Sequence, residues 1–161
     1  MEQTQQTQQP QKHQFPSEEV TLPSKGLLYP EGSPLRSGVI EMKYMTAREE
    51  DILTNQNYIK NGTVIDKLLQ SLILSPIDYS DLLIGDKNAI LVASRILGYG
   101  AEYAFKITHP VTGETETVSV DLTEAEDKVI DEGLMKEGKN EFEFILPTSK
   151  KTITFNLLTQ S

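Results

Sequence analysis

Side chains able to do chemistry are few in this chain, and their spacing does not bring them together. The two histidines, His13 and His109, stand far apart. A nucleophile needs a base within reach and a third group to orient it. A metal needs several ligands at set spacing. Neither histidine has such neighbours, and His109 reads as a turn residue with a solvent-facing ring. There are no cysteines, which excludes disulfides, thiol catalysis and thiolate zinc and leaves the redox compartment open. Asp78, Asp81 and Asp86 lie close together, but the Asp-x-Asp-x-Asp-Gly pattern of a calcium loop is absent. Asp78 and Asp86 read instead as turn former and helix cap. The carboxylates Glu49, Glu50, Asp51 and Glu124, Glu126, Asp127 fall in first turns of predicted helices, where the macrodipole favours negative charge. Gly98-Tyr99-Gly100 follows a helix and so cannot cradle a phosphate at a helix start. Lys150-Lys151 is a hairpin tip. No set converges on a reaction class, and the expectation is a non-enzymatic protein with no catalytic, cofactor-binding or metal-binding residue.

The elements that would have to position chemistry are, by contrast, well specified. Thr46 and Glu49 form a capping box for a helix running to about Ile59. Asn61-Gly62 breaks it, and Thr63, with Asp66 in the first turn, starts the next. There Val64/Ile65, Leu68/Leu69 and Leu72/Ile73 recur every four residues, a wide apolar stripe. Pro76 closes that helix, and Asp78 to Leu83 reads as a single turn. Asp86 is expected to cap a third helix, with Ile90, Ala93, Ser94 and Leu97 on one face and Gly98 as its left-handed end. After Gly100 the period changes to two. Tyr103, Phe105 and Ile107 alternate, His109 to Gly113 turns, and Val118, Val120 and Leu122 return. Thr123 and Glu126 suggest a second capping box for a short helix over 124–131. A further hairpin follows, with Phe142, Phe144 and Leu146 facing Ile153, Phe155 and Leu157.

Length and composition agree with one domain plus extensions. The chain has 161 residues, 37% of them hydrophobic, a net charge of −9 and a pI near 4.7. An acidic surface repels phosphates and anionic lipid, so direct nucleic-acid or membrane binding is not expected. No apolar run is long enough to span a bilayer, and the start MEQTQQTQQ lacks the basic and apolar regions of a secretory signal.

Residues 1–14 are a Gln/Thr-rich tract with little to bury, expected to be disordered. Residues 15–38 are different. Pro16, Pro23, Pro30 and Pro34 forbid helix and most sheet, yet apolar side chains are spread along the segment. It reads as an extended Pro/Gly-rich arm, packed either on its own domain or across onto a neighbouring subunit. Leu22, Leu27, Leu28, Tyr29 and Leu35 are the expected partner-binding residues. On that expectation Tyr29→Ala weakens docking and leaves the body folded. Residues 39–161 form a single α+β domain. It opens on a strand with Ile40, Met42 and Tyr44 on one face. A small helical layer of two to three helices follows over about 46–98. An antiparallel sheet of two β-hairpins completes it over about 101–158.

The segments MTAREEDILTNQNYIKNGTVIDKLLQSLI, DLLIGDKNAILVASRILGYGAEYAFKI and FEFILPTSKKTITFNLLT, in this order and spacing, resemble the baseplate-hub assembly proteins of contractile-tailed, T-even-like bacteriophages. The resemblance covers about Leu22 to Thr159. It implies a non-enzymatic tail protein that helps build the baseplate hub as adaptor or scaffold. It also implies other hub and tail proteins as partners within a multi-subunit assembly. Such a protein is placed in the host cytoplasm during assembly and in the tail baseplate of the virion if structural. The alternatives are a transient assembly chaperone absent from the mature virion and a degenerate metal-binding module. Two departures stand out. Relatives carry a Cys-Pro-x-Cys knuckle where this chain has Thr108-His109-Pro110-Val111-Thr112, so no zinc is expected. The hairpin should then be held by Tyr103, Phe105, Ile107, Val118 and Val120. Relatives also continue beyond Leu157-Leu158-Thr159 with acidic, helical sequence, so the chain is either a short member or the ordered part of a longer protein.

Overall fold

A computed structural model describes residues 15–126 and 132–161, so the Gln/Thr tract lies outside the described residues. The fold is α+β. In chain order it contains β1 (Ser17–Thr21), β2 (Val39–Lys43), α1 (Ala47–Thr54), α2 (Gln56–Lys60), α3 (Val64–Leu72), α4 (Ile84–Tyr99), β3 (Glu102–Thr108), β4 (Thr115–Asp121), β5 (Phe142–Ile145) and β6 (Thr152–Phe155).

Three antiparallel two-stranded ladders replace the single sheet expected from two hairpins: β1–β2, β3–β4 and β5–β6. The unforeseen ladder is the first. Its strand β1 lies in the arm between Pro16 and Pro23, and the register Ser17↔Lys43 to Thr21↔Val39 folds the arm back onto β2. On its other side β2 meets the segment after α3: Met42 bridges Ile73, and the Leu74 amide donates to the Glu41 carbonyl at 2.8 Å. Ile40 and Met42 are buried as expected. Tyr44 is not their companion; it lies past the strand end, 36% exposed, with its hydroxyl on Glu18.

The expected first helix is two, because Asn55 interrupts it. The Asn55 side chain accepts from the amides of Asn57 (3.0 Å) and Tyr58 (3.2 Å), capping α2 where α1 ends. The capping-box reading holds at its acidic end: Glu49 Oε2 accepts from the Thr46 amide at 3.0 Å. The apolar stripe of α3 buries Leu68, Leu69 and Leu72. Two assignments at α4 are corrected. The helix starts at Ile84, with Leu83 rather than Asp86 at the cap position. It runs through Tyr99 and ends at Gly100, whose φ is +82°. Gly98 serves another purpose: a Cβ there would stand 2.6 Å from the Met45 sulfur. The predicted box at Thr123 and Glu126 is replaced by Asp121, which accepts from the Thr123 amide at 2.8 Å. Leu122–Glu124 is then a single 3-10 turn, and residues 127–131 of the predicted helix lie outside the described residues.

The arm and the body share one core. Leu22, Leu28, Tyr29 and Leu35 from the arm pack with Ile40 and Met42 of β2, the α3 leucines, Leu82, Leu83 and Ile90. The turn that brings the arm in requires Gly26. Its φ is +75°, and an added Cβ would lie 2.3 Å from the Arg36 carbonyl oxygen. Gly26→Ala is expected to cost about 1–3 kcal/mol from the left-handed backbone alone, with the clash adding to it. A urea midpoint equal to wild type would contradict this.

Candidate interaction surface

Polar groups buried in the core serve to hold the arm. Asp86, 2% exposed, accepts from the Ser24 amide (2.9 Å), the Ser24 hydroxyl (2.7 Å) and the Tyr29 hydroxyl (2.6 Å). The Tyr29 oxygen in turn accepts from the Leu83 amide at 3.0 Å. Burial first, and then the Asp86 hydrogen bond, raise the Tyr29 hydroxyl well above its ordinary pKa of 10.0. A carboxylate read as a helix cap is thus the anchor of a loop 62 residues away. Nearby sequence could not have indicated this.

A second buried set joins β2 to the helices. Glu49 Oε1 accepts from Lys43 Nζ (2.7 Å) and Ser71 Oγ (2.6 Å), and Oε2 from both the amide and the hydroxyl of Thr46. Burial pushes the Glu49 carboxyl up. The bonds from Lys43, Ser71 and Thr46 outweigh it and lower the pKa from 4.5 to about 2. Among the described residues no buried side-chain nitrogen or oxygen lacks a hydrogen-bond partner, and no group of three His, Asp or Glu side chains could hold a metal.

The expected partner-binding residues lie as follows. Leu22, Leu28, Tyr29 and Leu35 are 0–3% exposed, covered by the chain's own core. In this conformation they are unavailable to a neighbour, and the arm packs on its own domain. Leu27 is half-buried, and its carbonyl accepts from the Gly138 amide at 2.7 Å. Leu28 keeps one edge on an open groove of about 440 Å³ that Leu83, Met135, Leu157 and Leu158 also line.

Uncovered apolar surface lies instead on the hairpins. In β3–β4 the register Tyr103↔Val120 and Phe105↔Val118 places four apolar side chains on one face, with Ile107 extending it opposite Glu116. Glu102, Ala104, Lys106 and Thr108 share the other face with Thr117, Ser119 and Asp121. All seven residues of β3 are exposed. The Tyr103 and Phe105 ring centres lie 5.7 Å apart, and Tyr103 and Ile107 remain 44% and 42% exposed. The expectation that these residues hold the hairpin is met only in part: they pair across the ladder, but among the described residues no second layer covers them.

The hairpin is fixed at its root and tip. Arg95 donates to the carbonyls of Gly100 (2.9 Å) and Glu102 (3.3 Å), with its guanidinium carbon 5.6 Å from the Tyr103 ring centre. At the tip, His109 Nδ1 accepts from the amides of Val111 and Thr112, so its role is turn geometry. The β5–β6 hairpin repeats the pattern. Phe142 and Phe155 stack at 5.5 Å, and Phe142 packs against the core. Phe144, Ile153 and Phe155 stay exposed. The alternation signalled an apolar face in each hairpin, but alternation does not say which molecule covers it.

The family model for the T4 bacteriophage base plate protein matches residues 17–160. The chain belongs to that family. The match takes in β1, the rest of the arm after it and the segment after β6. That last segment lies along the start of α4, with Leu83 bridging Thr159 and the Gln160 amide donating to the Leu82 carbonyl at 2.9 Å. No curated protein and no solved structure matches the chain. Membership makes this a phage base plate protein, part of a multi-subunit assembly. Among the described residues no helix is long and apolar enough to cross a membrane.

Proposed function

We propose that this base plate protein is a non-enzymatic adaptor or scaffold in assembly of the baseplate hub, joined to other hub and tail proteins. The carrying observation is the apolar face of β3–β4, whose strand β3 is exposed along its whole length. An apolar face of that kind marks an interaction site in a folded protein. The interior supports the same reading. Its buried carboxylates and hydroxyls are occupied in joining arm to body and β2 to helix, which leaves the exposed apolar faces of the hairpins for partners. Assembly takes place in the host cytoplasm, and the chain stays in the tail baseplate.

Quantitative mass spectrometry of purified phage particles tests this. The expected result is the chain at a fixed ratio to tail proteins. Its absence from particles, together with co-purification with hub components from infected cells, would instead make it a transient chaperone.

A further inference from the structure

We infer that the β3–β4 hairpin docks by its Tyr103–Phe105–Ile107 face onto a different protein, one whose apolar surface is rimmed by lysine and arginine. The inference rests on the adaptor reading and adds the chemistry of the partner.

Charge supplies the argument. Between Ala101 and Glu126 the acidic residues are Glu102, Glu114, Glu116, Asp121, Glu124 and Glu126, against the single basic residue Lys106. Among the described residues none of these carboxylates is paired with a lysine or arginine. Of these, Glu116 lies on the apolar face opposite Ile107 and Glu114 in the turn next to it, while Glu102 and Asp121 lie on the other face and Arg95 stands over the Tyr103 ring at the root; the tip end of the apolar strip is the acidic one. A second copy packed tip against tip would bring these carboxylates together, which costs affinity, whereas basic groups on a partner match them and speed encounter. The partner would also cover rings that a two-stranded ladder cannot shelter, since such a ladder is marginal alone in water.

The test places p-benzoylphenylalanine at position 105 in the full chain, produced during infection, and identifies crosslinked peptides in purified baseplates. The expected result is a crosslink to another baseplate protein at an apolar site bearing lysine or arginine. Two variants accompany it: Phe105→Ser, and the pair Glu114→Lys with Glu116→Lys. Both should keep the wild-type melting transition, because none of these residues belongs to the core. Each should lower the particle-associated amount by about tenfold or more, as loss of an interface anchor does.

A crosslink to a second copy of this chain overturns the inference. So does a chain present in baseplates without any crosslink from position 105. A loss with Phe105→Ser but none with the charge-reversed pair overturns the basic-rimmed partner. If the wild-type chain is absent from baseplates, the adaptor reading itself fails, and this inference fails with it.

Discussion

Tyr29→Ala is expected to remove a large part of the stability margin of this protein. Truncating a fully buried aromatic costs about 3–5 kcal/mol, and small domains have only about 5–15 kcal/mol in total. The ring is 3% exposed within the core cluster. The hydroxyl adds a second loss, because the Leu83 amide and Asp86 each lose a partner. Tyr29→Phe separates the two. It keeps the ring, removes only the hydroxyl and should cost about 1–3 kcal/mol. Urea unfolding of the two variants checks the ranking. A Tyr29→Ala body as stable as wild type would return the residue to the docking role that the sequence first suggested. The alkaline limb of the stability profile gives a further reading. The folded-state pKa of Tyr29 is raised, so its contribution is complete below pH 10.0 and is lost as pH rises above it. Tyr79 is raised in the same direction by burial and by Asp66. Tyr29→Phe should therefore shrink the alkaline loss without abolishing it.

The parts of this fold that local sequence specified are those whose causes are local. The α3 stripe, the Asn61-Gly62 break and the two hairpins depend on residues a few positions apart, and each forms where the pattern puts it. Asn55 was also readable in principle. Asparagine is a favoured N-cap residue, but the stretch from Asp51 to Lys60 holds no Gly or Pro to signal that a helix ends there. What was not readable were the pairings at long range. Nothing near Asp86 marks it as the acceptor of Ser24 and Tyr29, and a carboxylate near a helix start has a ready local explanation as a cap. The same limit applies to the arm. Its prolines correctly exclude helix, but they permit a five-residue edge strand between Pro16 and Pro23 that pairs with β2. Apolar residues on a Pro/Gly segment show that something covers them. Only the fold shows that the cover is the chain itself, and that the hairpin aromatics are among the residues left exposed.

Glu49→Ala should be the second severe substitution, for an electrostatic reason. Removing one member of a buried ion pair leaves the other charge uncompensated and costs about 3–5 kcal/mol. Here that charge is Lys43, whose side chain is only 8% exposed. Glu49→Gln is not a mild replacement. Both carboxylate oxygens are acceptors, one for Lys43 and Ser71 and the other for Thr46. An amide offers a single oxygen, so its NH₂ must face either the ammonium or the Thr46 amide. The pH profile identifies the charge specifically. The folded pKa of about 2 lies below the ordinary 4.5, so the contribution is complete above 4.5 and is lost as pH falls from there through 2. Its size is about 3 kcal/mol at neutral pH. Asp66 is also lowered, because Lys87 and Tyr79 outweigh its burial, so some acid sensitivity will remain in Glu49→Gln. The variant should flatten the profile between pH 4.5 and 2, and an unchanged slope there would mean that Glu49 is not held as the charged partner of Lys43. Pairing Glu49→Leu with Lys43→Met removes the stranded charge and should restore part of the loss. The part not restored measures the Thr46 cap and the Ser71 bond, which no apolar side chain can replace.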